Sequence, residues 1–316
     1  MEQTGKKRKD LLPIAANWIG LAMLLYIVLS LLVRLLGGLV LQGAFNNVTL
    51  KDLTAVPEWA LGIYNIVLPL AVLLPPYYLL KMAGKPKQAA PPMGKSRLPL
   101  WLLTPLFLGA MVVVNSVSSL IAGWFGAGNG PAALPKTVAG VLFYFVYTCI
   151  LPPVLEERLF RGMVQGMLRP WGARFAILVS SLLFAFLHTN LSAILGVFLL
   201  SVLLGYVREI TGSVRPGIIL HFFNNLASLI MMLGQTYLTG VAALAFGFWV
   251  TLVFLVLFAA AAWAVWQFKW LPKFKLQHDK PPEQGQQPPA KRLLTAPVFV
   301  AGVVGTLLYF VFGAVL

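Results

Sequence analysis

Nine stretches of about twenty mostly apolar residues follow one another along this chain, each close to the length that crosses a hydrocarbon core. They fall near 12–33, 59–80, 98–123, 138–155, 174–189, 191–207, 214–233, 241–266 and 295–316. Inside a bilayer no water satisfies a backbone N–H or C=O, so spanning segments must be helices or closed barrels. The ten-residue alternation of barrel strands is absent here. Apolar residues make up 59% of the chain and charged residues 10%, against about a quarter charged in soluble domains. The expected fold class is therefore all-α, a polytopic transmembrane helical protein with about 8–9 spans. The short stretches 174–189 and 191–207 are its weakest members. The first apolar run exceeds a signal-peptide core and reads as a retained span.

The net charge of +15 could point to nucleic acid, but its distribution gives a different reading. With a cytoplasmic N-terminus, 21 of the 24 basic residues fall on the cytoplasmic side, including Arg158, Arg161, Arg169, Arg174, Arg208 and Arg215. Only Lys51 and Lys136 fall opposite, with Arg34 at the end of the first span. This asymmetry is the positive-inside pattern of a multi-pass protein of the cell membrane. It implies contact with anionic membrane lipid and no nucleic-acid partner.

Two polar connectors, 81–97 and 272–292, divide the chain into a leading membrane region (1–97), a membrane core (98–266) and a loop with a final span (267–316). No internal repeat is evident, which disfavours an inverted-repeat transporter. The single cysteine, Cys149, rules out an internal disulfide framework and a cysteine-cluster metal site. Asn65 and Asn115 are expected to hydrogen-bond between helices. Trp59, Trp101, Trp266 and Trp270 are expected to be interfacial anchors.

Seven of the nine acidic residues, Glu209 among them, fall in tails, loops or span edges. The other two, Glu156 and Glu157, adjoin an apolar run, where a carboxylate costs roughly 2.5–3.5 kcal/mol on insertion scales. Pro152 and Pro153 are expected to break the helix before them, placing both acids in the first turn of a new one. Glu157 and Arg161 are four apart with the acid first, the better orientation for a helical ion pair. Glu156 lies about 100° away around the helix and is left free. Counted along the helices, Glu156 falls nearer the cytoplasmic face than His188, unless the motif helix re-enters or its span starts outside the core.

Three histidines are present, and His278 lies in a polar connector. Phe184 and His188 share a helix face, as do His221 and Asn225, whereas Asn224 points away. A free carboxylate with a His can activate water, and a His beside an Asn can donate to an oxyanion. Together these parts suit amide hydrolysis in a membrane cavity. A zinc site from Glu156, His188 and His221 with a fourth water is the alternative use, although the His-Glu-x-x-His signature is absent.

The ordered set Glu-Glu-x-x-x-Arg (156–161), Phe-x-x-x-His (184–188) and His-x-x-x-Asn (221–225), with Gly212-Ser213-x-x-Pro216-Gly217 leading into His221, resembles the CPBP family. That family contains the CAAX prenyl endopeptidases and the Abi-type proteins. The resemblance covers roughly 138–232. It implies an all-helical intramembrane endopeptidase core that acts without a metal cofactor on a peptide or membrane-anchored protein. Carried over residue by residue, Glu156 and His188 match the water-activating positions, and His221 and Asn225 match the oxyanion-stabilising ones. Glu157 and Arg161 match a supporting pair, with Phe184 beside them. A non-catalytic immunity or scaffold protein of the same fold is the competing reading. Substrate identity, any need for a prenyl group and oligomeric state have no sequence signal.

Overall fold

The computed structural model describes residues 11–49, 52–84, 99–124, 134–188, 193–268 and 287–312. Apart from an isolated bridge between Thr49 and Asp52, every regular element in these residues is helical. This is the outcome that burial of backbone polar groups in hydrocarbon demands. In chain order the helices are α1 (Leu12–Ala44), α2 (Glu58–Ala83), α3 (Leu100–Trp124), α4 (Val138–Trp171), α5 (Ala173–Phe186), α6 (Ile194–Thr211), α7 (Arg215–Tyr237), α8 (Gly240–Gln267), α9 (Pro289–Leu293) and α10 (Pro297–Phe312). Seven of them are long and apolar enough to cross a membrane; α5 and α10 are apolar but shorter. The chain is a multi-pass membrane protein. The two polar connectors lie largely outside the described residues, as do His278 and Trp270.

The expected break at Pro152–Pro153 does not occur. α4 stays helical through the prolines, because the preceding stretch Val146–Ile150 is wound as a π-helix, in which the Leu151 N–H reaches back five residues to the Val146 carbonyl. The prolines then occupy the first positions of the next α-helical turn, where a missing N–H is tolerated. A second π-helical stretch, Glu157–Val164, follows at once. Glu156 and Glu157 therefore sit in the middle of a 34-residue helix, about 50 Å long at 1.5 Å per residue. A helix N-terminus does not offset their charge there.

The continuity of α4 also brings the two motifs to one depth. α4 and α5 are antiparallel arms joined at Gly172, whose φ of 135° suits glycine. Glu156 lies fifteen residues before Trp171, and His188 lies fifteen after Ala173. Both stand about 22 Å from the turn.

Outside this core, α10 packs along α1. A Cβ on Gly302 would lie 2.7 Å from the Gly20 Cα, so the two backbones touch through glycine. Asn17 Oδ1 accepts the Val298 and Phe299 N–H groups at 3.0 and 3.3 Å, filling acceptor positions that the start of α10 lacks. Ser30 and Tyr309 share a hydrogen bond of 2.8 Å farther along. Glu58, at the start of α2, accepts from the Thr137 N–H (2.9 Å), the Thr137 hydroxyl and the Lys136 N–H, which ties down the entry to α4. Trp59, Trp101 and Trp266 are exposed near helix ends. Asn65 and Asn115 make no side-chain hydrogen bond among the described residues. Asn115 instead lines a cavity of about 550 Å³ between α3, α7 and α8, with Asn224 and Gln235 opposite.

Candidate active site

Glu157 organises the middle of the bundle. Its carboxylate pairs with Arg161 at 3.0 Å on α4, and both side chains are essentially inaccessible. Its Oε1 also meets His221 Nδ1, on α7, at 3.3 Å. A carboxylate oxygen only accepts, so Nδ1 carries the proton in this contact. Oε2 faces the backbone of Gly217, where an added Cβ would approach to 2.9 Å. Glycine at 217 lets α7 come close enough for His221 to reach Glu157.

Phe184 of α5 holds these groups from the other side. Its ring lies under the Arg161 guanidinium, 4.7 Å from centroid to cation, and 5.1 Å from the Phe160 ring. The His188 and His221 rings stand 4.6 and 6.2 Å from it. An apolar ring that covers a buried cation supports the ion pair while excluding water. His188 Nδ1 lies 2.9 Å from the Phe184 carbonyl, an acceptor only, so its Nε2 is left as the basic nitrogen.

Glu156 is the less enclosed acid, with 16% of its side chain accessible. Its Oε2 lies 3.9 Å from His221 Nε2, too far for a direct hydrogen bond and near enough for one oxygen to touch both. No ion pair or hydrogen bond joins Glu156 to His188; the histidine nearest to it is His221. Asn225 is engaged elsewhere, its Nδ2 donating to the Thr148 carbonyl at 2.8 Å on α4. Asn224, expected to point away, donates to Asn225 Oδ1 at 3.3 Å.

The polar face of α4 extends farther than the motif. Arg161 donates to the carbonyl and hydroxyl of Ser201 at 3.0 and 2.8 Å. One turn on, Gln165 Nε2 donates to the Gly205 carbonyl and to Glu209 Oε1, both at 3.0 Å. One turn beyond that, Arg169 pairs with Glu209 Oε2 at 2.7 Å, and Arg208 pairs with Oε1 at 2.6 Å. Residues 161, 165 and 169 thus meet 201, 205 and 209 on α6, always forty positions apart. Glu209 lies near the end of α6 and is nonetheless buried, 1% exposed; Arg161 pairs with Glu157 as its spacing predicts, and Arg169, read from the sequence as a cytoplasmic-side charge, is a buried partner as well. Extending the four-residue step past Arg161 to Gln165 and Arg169 would have exposed half of this ladder.

Residues 138–227 match the family model for type II CAAX prenyl endopeptidases, Rce1-like. This segment is similar to that family. The match runs from α4 to the middle of α7 and contains all three motifs. No curated protein and no solved structure matches the chain.

The zinc alternative asks for three donors around one point. Among the described residues no three His, Cys, Asp or Glu side chains gather in that way. His188 has Nδ1 turned to a backbone carbonyl and His221 has Nδ1 on Glu157, which leaves the Nε2 atom of each ring to face the site.

Proposed function

We propose that this protein is an intramembrane endopeptidase of the cell membrane that hydrolyses a peptide bond of a membrane-anchored, CAAX-type substrate. The carrying observation is the unequal surroundings of the two glutamates. Glu157 is occupied by Arg161 and His221, whereas Glu156 is partly accessible and 3.9 Å from His221 Nε2. In this reading the Glu156 carboxylate takes a proton from water, with His188 Nε2 accepting the second O–H. The water oxygen attacks the scissile carbonyl carbon, and the oxyanion accepts from His221 Nε2 and Asn225 Nδ2. With Nδ1–H given to Glu157, His221 donates from Nε2 only as the doubly protonated ring. The C–N bond then breaks as Glu156 passes its proton to the leaving nitrogen. The substrate enters from the cytoplasmic face, on which the N-terminus lies.

The test uses the purified full chain in liposomes with a prenylated peptide and its unprenylated counterpart, read by mass spectrometry. Glu156→Gln is expected to lower turnover by at least about a hundredfold while insertion and thermal midpoint hold. Chelation is expected to leave the wild-type rate unchanged. Wild-type cleavage by Glu156→Gln would overturn the role of the carboxylate, and loss of activity on chelation would overturn the metal-free step.

A further inference from the structure

The contact between Asn225 and the Thr148 carbonyl has an origin in the backbone of α4. In α-helical winding the donor to the carbonyl of residue 148 is the N–H of residue 152. In π-helical winding, which Val146–Ile150 adopts, it is the N–H of residue 153. Both positions are proline, so neither winding can supply a donor. The Thr148 carbonyl faces a partly buried region of a membrane protein, where an unmet acceptor is costly. Asn225 Nδ2 meets it at 2.8 Å from α7, and Asn224 Nδ2 holds the Asn225 Oδ1 at 3.3 Å. The Asn225 amide is thereby fixed at both ends, with one of its two N–H bonds committed to α4.

We infer that Pro152 and Pro153 are positioning residues. By withholding both possible backbone donors they leave the Thr148 carbonyl as an anchor for the Asn225 amide, which holds α7 against α4 about two turns before Glu156. The inference rests on the endopeptidase reading for its consequence in catalysis, and on geometry alone for the contact. It explains why two helix-disfavouring residues stand beside the glutamate pair in a helix that does not break there.

The experiment is a cycle of four full-length proteins: wild type, Pro152→Ala, Asn225→Ala and the double variant. Thermal midpoints are read in detergent, and kcat and KM in liposomes. Asn225→Ala is expected to lower the midpoint by several degrees in the proline background, because it orphans the Thr148 carbonyl. In the Pro152→Ala background it is expected to cost less than half as much, since the backbone N–H restored at position 152 now serves that carbonyl. Pro152→Ala alone is expected to keep or raise the midpoint while kcat falls about tenfold and KM stays within about twofold. A residue with only a structural role would move stability and kcat in the same direction. Equal midpoint losses in both backgrounds would overturn the contact. A coupled midpoint with wild-type kcat would overturn the positioning role. Should Pro152→Ala not fold, Pro153→Ala supplies the donor of the wider winding and enters the same cycle. If Glu156→Gln retains full cleavage, the endopeptidase reading fails, and the midpoint cycle still decides whether the prolines place Asn225.

Discussion

Gly217 shows how much at this site depends on one missing methyl group. A Cβ there would come within 2.9 Å of Glu157 Oε2, and that carboxylate cannot swing aside, because Arg161 and His221 hold it at 3.0 and 3.3 Å. Gly217→Ala must therefore push α7 away from α4 or break the Glu157–His221 contact. Overpacking of this kind costs about 1–3 kcal/mol, and displacement of the His221 ring is expected to lower turnover more than about tenfold. Thermal midpoint and cleavage rate measured together check this; wild-type values for both would show that the carboxylate is not held as described. At this scale much of the site was legible in the sequence. The four-residue step from Glu157 to Arg161 is a local relation, and it forms. The place of Asn225 was not legible, since its partner Thr148 lies 77 positions away and is a backbone carbonyl that no side-chain pattern marks. The approach of Glu156 to His221, at 3.9 Å, was hidden for the same reason, because it depends on how two distant helices meet.

Among the elements, α4 and α6 are registered by polar contacts at three successive turns. Apolar side chains packed in lipid distinguish poorly between neighbouring registers, whereas a buried ion pair has one satisfactory arrangement. α4 has special need of such pins, because its π-helical stretch Glu157–Val164 departs from regular winding where the glutamates stand. The hydrophobic pattern cannot reveal a change of winding, and for that reason a kink was expected instead. Removing one partner of a fully buried pair leaves an uncompensated charge and costs about 3–5 kcal/mol. Glu209→Ala is expected to show this loss, because it removes the carboxylate shared by Arg169, Arg208 and Gln165, and Arg169→Ala a smaller one, because Arg208 and Gln165 still hold Glu209. Replacing the exposed Arg174 by Ala should change stability by less than about 0.5 kcal/mol. Denaturation in detergent ranks the three. Equal small effects would mean that Glu209 is solvated like the edge residue its sequence position implied.

For the molecule as a whole, three of the nine acidic residues hold α4 at three heights. Glu58 binds its entry at Lys136 and Thr137, Glu157 pairs with Arg161 in its middle, and Glu209 pairs with Arg169 near its exit. The first contact joins the α1–α2 loop to the entry of α4, and the last joins the Gly172 turn to the Gly212 turn. These two clamps thus define opposite ends of the bundle. Arg174, Arg208 and Arg215 cluster at the Glu209 end, whereas Lys136 is the one described lysine at the Glu58 end, so positive-inside logic assigns the Glu209 end to the cytoplasm. The prediction uses a chain with Cys149, which is buried, replaced by Ser, into which single cysteines are introduced. Lys136→Cys should react with a membrane-impermeant maleimide in intact cells. Ser213→Cys should react only after permeabilisation. Reaction of both from the same side would contradict the two-clamp arrangement itself, and a clean reversal would leave the clamps standing but turn the protein over, placing the substrate's entry on the opposite face.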